Sequence, residues 1–139
     1  MMRAHKRLRS ESGTSAVEFA LVLPLLMLIL FGIIEFGMAL YRQAILTNAS
    51  REGARLGIIL SVPPTTTAAI NTRIDTYLTA AGIIPGTVTP RTIVLGTTTG
   101  TPVTVTLTLP YTFVSLPGFT NGSVIPAISL VATTVMSHE

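Results

Sequence analysis

The chain has 139 residues, 48% of them hydrophobic and only 11% charged. An ordinary soluble domain carries about 25% charged residues, so a disordered tail, a coiled coil and an acidic binding protein are all excluded. The net charge is +3, the nine basic residues begin with Arg3, Lys6, Arg7 and Arg9, and the charges beyond Arg55 cancel, which leaves no basic face for a phosphate backbone.

The chain contains no cysteine, which removes disulfides, thiol catalysis and thiolate metal sites. Its composition divides it into a basic head, an apolar rod and a remainder rich in Thr, Gly and Pro. From Phe19 to Ile34 there is no charge; Glu35 interrupts the run, which then continues to Tyr41. A helix over 14–41 would be about 40 Å long at ~1.5 Å per residue, more than the ~30 Å hydrocarbon core of a bilayer. The basic cluster precedes it and Arg42 follows nearly alone, so the positive-inside rule puts the N-terminus in the cytoplasm and the remainder across the membrane. A cleaved signal peptide is the rival, but its apolar region runs only about 7–15 residues.

The stretch SGTSAVEFALVLPLLMLILFGIIEFGMALYRQAILTNASREGARLG resembles the N-terminal signature of TadE-like proteins, pilin-like minor components of the tight-adherence (Flp) pilus system. The matching features are Gly13, Glu18 with Phe19, Pro24, the stretch from Gly32 to Glu35, and the run Asn48-Ala49-Ser50-Arg51-Glu52-Gly53-Ala54-Arg55. The resemblance implies cutting after Gly13 by an inner-membrane prepilin peptidase, with Thr14 as the mature N-terminus. It makes Glu18 the pilin-type glutamate. Phe19, where major pilins of the system favour Tyr, implies a minor component rather than the fibre subunit, as does the large C-terminal region.

The chemistry of such a cut is plain. The new α-amino group would be substantially protonated at neutral pH. Glu18, one helical turn in, would favour the helix N-terminus and attract that ammonium or a neighbouring subunit's. The bland alternative is a carboxylate resting among headgroups, since leaving it in hydrocarbon costs about 2.5–3.5 kcal/mol. Pro24 removes one backbone hydrogen bond and is expected to kink the helix. Glu35 falls about 30 Å beyond Thr14, and headgroup contact is the simpler reading for it.

Arg42 to Leu60 continues as helix, with Arg51, Glu52 and Arg55 on its polar face. Ala49, Gly53 and Gly57 recur every four residues and form a ridge of small side chains that lets another backbone approach. That backbone belongs either to the following domain or to another subunit. Val62-Pro63-Pro64 breaks the helix, a cap region follows at Thr65 to Thr67, and 68–81 reads as a second helix stopped by Gly82. From Gly86 the period changes to two. Val103, Val105, Leu107 and Leu109 alternate with threonines as a half-buried strand, with further strands over 92–95 and 129–136. Pro110 favours an edge or a bulge. Turn-rich connections run over 96–102 and 116–122.

No catalytic constellation, Walker loop or metal-ligand set is present; His5 and His138 lie at opposite ends of the chain, and Asp75 reads as a lone acid. The sequence therefore predicts an α+β membrane protein that is not an enzyme and needs no cofactor. Its parts are a basic leader over 1–13, a transmembrane helix over 14–41, a membrane-proximal helical extension over 42–60, and a small exported α+β domain over 61–139. That domain has one further helix and a roughly three-stranded antiparallel sheet. The partners implied by the resemblance are the inner membrane, the prepilin peptidase, other pilin-like subunits and the assembly platform, with oligomerisation through the N-terminal helix and no nucleic acid. A permanently anchored single-pass protein with a receptor or adaptor domain is the alternative.

Overall fold

A computed structural model of the chain describes residues 5–59, 64–96, 98, 100–113 and 127–137, with side chains described from Gly13 onward. The element order is one long helix, a shorter helix, a brief 3-10 turn and three strands. The first helix, α1, runs His5–Gly57 over 53 residues without interruption and has Pro24 inside it. Leucine, alanine and methionine, which lose little freedom in a helix, carry it past the proline. It ends at Gly57 rather than at Leu60. Residues 62 and 63 of the expected break lie outside the described residues.

The second helix, α2, is Thr67–Ala80. Thr66 is its N-cap, accepting a hydrogen bond from the Ala69 N–H at 3.2 Å, so one of the unpaired donors of the first turn is satisfied. At the other end Gly82 adopts φ +77. The N–H of Ile83 reaches the Leu78 carbonyl at 2.9 Å, and the N–H of Gly82 reaches that of Thr79 at 3.0 Å. This is the Schellman arrangement, and the buried pair Leu78 and Ile83 supplies its usual apolar contact.

The strands are β1 Arg91–Val94, β2 Pro102–Tyr111 and β3 Ile128–Ser137. They form an antiparallel sheet in the order β1-β2-β3. Between β1 and β2, Thr101 N–H donates to the Thr98 carbonyl at 3.0 Å and Gly100 takes φ +84, a backbone conformation that glycine adopts without steric cost. The expected connection over 116–122 lies outside the described residues.

Pro110 was expected at an edge or a bulge, yet it stands in the central strand, in regular register with Ser129 of β3. The geometry explains its tolerance. Thr108 N–H points toward β1, where it meets the Pro90 carbonyl at 3.2 Å. Amide directions alternate along an antiparallel strand, so the donor that Pro110 lacks would point the same way. The pairing with β1 stops at Leu107 opposite Arg91. No ladder hydrogen bond is lost.

The core lies within the unit formed by Gly37–Thr112 and the closing strand. Val103, Val105, Leu107 and Leu109 from β2 meet Ile70, Ile74 and Leu78 from α2, and Ile45, Leu46, Ala49 and Ala54 from the end of α1. Period two on β2 and the spacing of four on α2 bring these faces together. The opposite face of β2 carries threonines, and Thr106 hydrogen-bonds across to Thr133 Oγ1 at 3.1 Å.

Candidate assembly interface

The apolar stretch of α1 is unburied. Its most hydropathic window has none of its residues buried within the chain. Val17 and Phe19 are each 61% exposed and Leu21 is 76% exposed. Such a length of apolar helix left uncovered requires lipid or other helices around it. Glu18 and Pro24 are exposed along the same stretch. Gly13 and Thr14 lie within α1, exposed, and a Cβ placed on Gly13 would meet nothing within 4 Å. Glu35 is a different case: it is only 1% exposed and is engaged within the chain, rather than open to headgroups.

The ridge at the other end of α1 is covered by the chain's own domain. Ala49 is fully buried. A Cβ on Gly53 would sit 2.8 Å from Ile74 Cδ1, and one on Gly57 would sit 2.8 Å from Val103 Cγ1. Both glycines therefore let α2 and β2 approach more closely than alanine would permit. Ser50, wholly buried, shares a hydrogen bond of 2.7 Å with Thr134 Oγ1 of β3 and donates to the Thr47 carbonyl at 2.8 Å. Gln43 Nε2 donates to the Val131 carbonyl at 2.8 Å. That carbonyl faces away from β2, so Gln43 covers one group on the open edge of β3.

The polar face binds as well. Glu52 Oε1 accepts from Arg73 Nε at 2.9 Å and from Arg73 Nη2 at 2.5 Å, joining α1 to α2. The hydrogen bond from Arg73 holds the Glu52 carboxyl below the ordinary glutamate range; the positive charges of Arg73 and Arg55 act in the same direction, against a partial desolvation. Arg51 and Arg55 are exposed. The run from Asn48 to Arg55 is thus a seat: Ala49 and Ala54 fill the core, Ser50 holds β3, Glu52 holds α2 and Gly53 makes room.

Two features were not read from the sequence. Asp75, a lone acid in the sequence, pairs with Arg91 Nη1 at 2.6 Å. Arg91 also donates through Nε to the Val88 carbonyl at 2.9 Å and through Nη2 to the Pro85 carbonyl, so one guanidinium ties α2, the 3-10 turn and β1 together. The sixteen positions between Asp75 and Arg91 give no periodic signal. The second feature is Arg42, whose guanidinium lies 5.2 Å from the centroid of the Tyr111 ring.

Comparison with protein-family models matches residues 13–55 to the family described as TadE-like protein. The matched segment spans the exposed apolar stretch and ends on the seat, and it makes up less than a third of the chain. No curated protein and no solved structure matches the chain.

Proposed function

We propose that this chain, TadE-like over residues 13–55, is a pilin-like minor structural component in assembly of a tight-adherence pilus, made as a precursor and cut after Gly13 by a prepilin peptidase. The observation that carries the reading is the coincidence of the family match with an uncovered apolar helix whose far end seats a small domain. In this reading the leader stays in the cytoplasm, the helix spans the inner membrane and the domain is exported. The mature subunit associates with other pilin-like subunits through the N-terminal stretch, where its apolar side chains exchange lipid for neighbouring helices. Glu18 meets the ammonium of Thr14, its own or a neighbour's, and so sets the depth at which helices pack. Ala49, Gly53 and Gly57, with Glu52, serve the subunit internally by fixing its domain to the helix.

The role of Glu18 is tested by Glu18→Ala. The variant is expected to insert in the membrane at the level of the parent chain, as read by membrane fractionation, and to lose co-purification with the other pilus components. Unchanged co-purification would remove the role assigned to Glu18. Loss of insertion would show that the residue serves the membrane helix itself.

A further inference from the structure

Where the apolar run of α1 ends, its side chains face a groove. About 20 helical residues cross a ~30 Å hydrocarbon layer, and counted from Phe19 that length ends at Met38. Tyr41 and Arg42 then stand one turn further out, at the level of the headgroups. Met38, Tyr41, Arg42 and Ile45 form one wall of a groove of about 320 Å³, and the turn following α2, with Ile84, forms the other. Ile84 is 72% exposed and Tyr41 is 64% exposed. A single exposed apolar side chain needs no explanation. Here Ile84 lies beside exposed Met38 and Tyr41, with Arg42 among them and, among the described residues, no carboxylate paired to it.

We infer that this groove and the Ile84 turn rest on the membrane surface, with phospholipid as the occupant: acyl chain against Met38, Ile45 and Ile84, and lipid phosphate against Arg42. The inference rests on the reading of 14–41 as a membrane span. Three physical preferences agree on it. Tyrosine collects at the interface because its ring is apolar and its hydroxyl is wet. Arginine lays its stem along apolar surface and sends its charge to the phosphate level. An isoleucine at a turn tip next to a bilayer loses its contact with water by entering the acyl boundary. Met38 and Tyr41 of the groove belong to the same apolar run of sequence that begins at Phe19, so a lipid layer around that run reaches them. Two points of attachment, the helix and the Ile84 turn, hold the domain against the bilayer before assembly.

The chain has no tryptophan, so a single introduced one reports its own surroundings. Three full-length variants are reconstituted in vesicles of phosphatidylethanolamine and phosphatidylglycerol, with and without brominated acyl chains: Leu26→Trp inside the span, Ile84→Trp at the groove, and Val94→Trp, exposed on β1 away from the groove. The expected result is strong quenching by bromolipid and blue-shifted emission for Leu26→Trp and Ile84→Trp, with water-like, unquenched emission for Val94→Trp. Water-like emission from Ile84→Trp with Leu26→Trp quenched overturns the inference and leaves the membrane span intact. Blue-shifted but unquenched Ile84→Trp overturns it in favour of a protein contact in the groove. Quenching of all three overturns it as well, since the groove would then not orient the domain. An unquenched Leu26→Trp removes the membrane span, and the inference falls with it.

Discussion

A methyl group at position 57 would sit 2.8 Å from Val103 Cγ1 and 3.1 Å from Ile70 Cδ1. Val103 is fully buried on the central strand, and its β-branched side chain has little rotamer freedom. Overpacking of this kind costs about 1–3 kcal/mol. The propensity gained by replacing glycine is small here, because Gly57 is the last residue of α1. Gly57→Ala should therefore lower stability by about 1–2 kcal/mol, read as a fall in Tm of the detergent-solubilised chain, while membrane insertion is unchanged. A Tm equal to or above that of the parent chain would contradict the close approach. The spacing of Ala49, Gly53 and Gly57 was legible in the sequence as a surface that admits another backbone. Whose backbone was not, because a ridge of small residues fits an internal neighbour and a foreign subunit equally well. Only the positions of Ile70, Ile74 and Val103 decide that α2 and β2 of the same chain occupy it.

Between elements, the ion pair of Glu52 with Arg73 is partly open to solvent, with side-chain exposures of 26% and 55%, so its worth at neutral pH is under about 1 kcal/mol. Its pH dependence is more diagnostic. Glu52 titrates below its ordinary range because Arg73 hydrogen-bonds the charged form. A group so depressed contributes its full stabilisation above the unfolded-state pKa of about 4.3 and loses it as pH falls through the lower folded value. The stability difference between the parent chain and Arg73→Ala, measured by denaturant unfolding, should hold steady at neutral pH and shrink toward zero in acid. A difference that persists unchanged to about pH 3 would show that Arg73 acts through packing rather than charge. The elements themselves were largely legible. Alternation announced β2, and glycine and threonine marked the ends of α2. The place of β2 in the sheet was not legible, since Pro110 argued for an edge; the short reach of β1, which stops at Leu107, is a tertiary fact that no local pattern carries. The same holds for Arg91, whose partners come from α2 (Asp75) and from the 3-10 turn and its cap (Pro85 and Val88).

For the whole molecule, the division of labour follows the family match. Residues 13–55 contain both the uncovered apolar helix and the seat on which the C-terminal domain is built. A domain of this size buries a marginal core by itself, and here Ile45, Leu46, Ala49 and Ala54 of α1 complete it. The C-terminal part of α1 is therefore part of the domain's core. Glu35 is where sequence reasoning reached least far: spacing placed it near the far headgroups, and only the folded chain shows it buried.

The measurement that bears most directly on the account is the intact mass and N-terminal sequence of the chain recovered from membranes, with and without an active prepilin peptidase. The account predicts a mature chain beginning at Thr14 when the peptidase is active, and the uncut precursor when it is not. A full-length chain in the presence of the active peptidase would contradict it in favour of a permanent anchor, and a start beyond Tyr41 would contradict it in favour of an ordinary signal peptide.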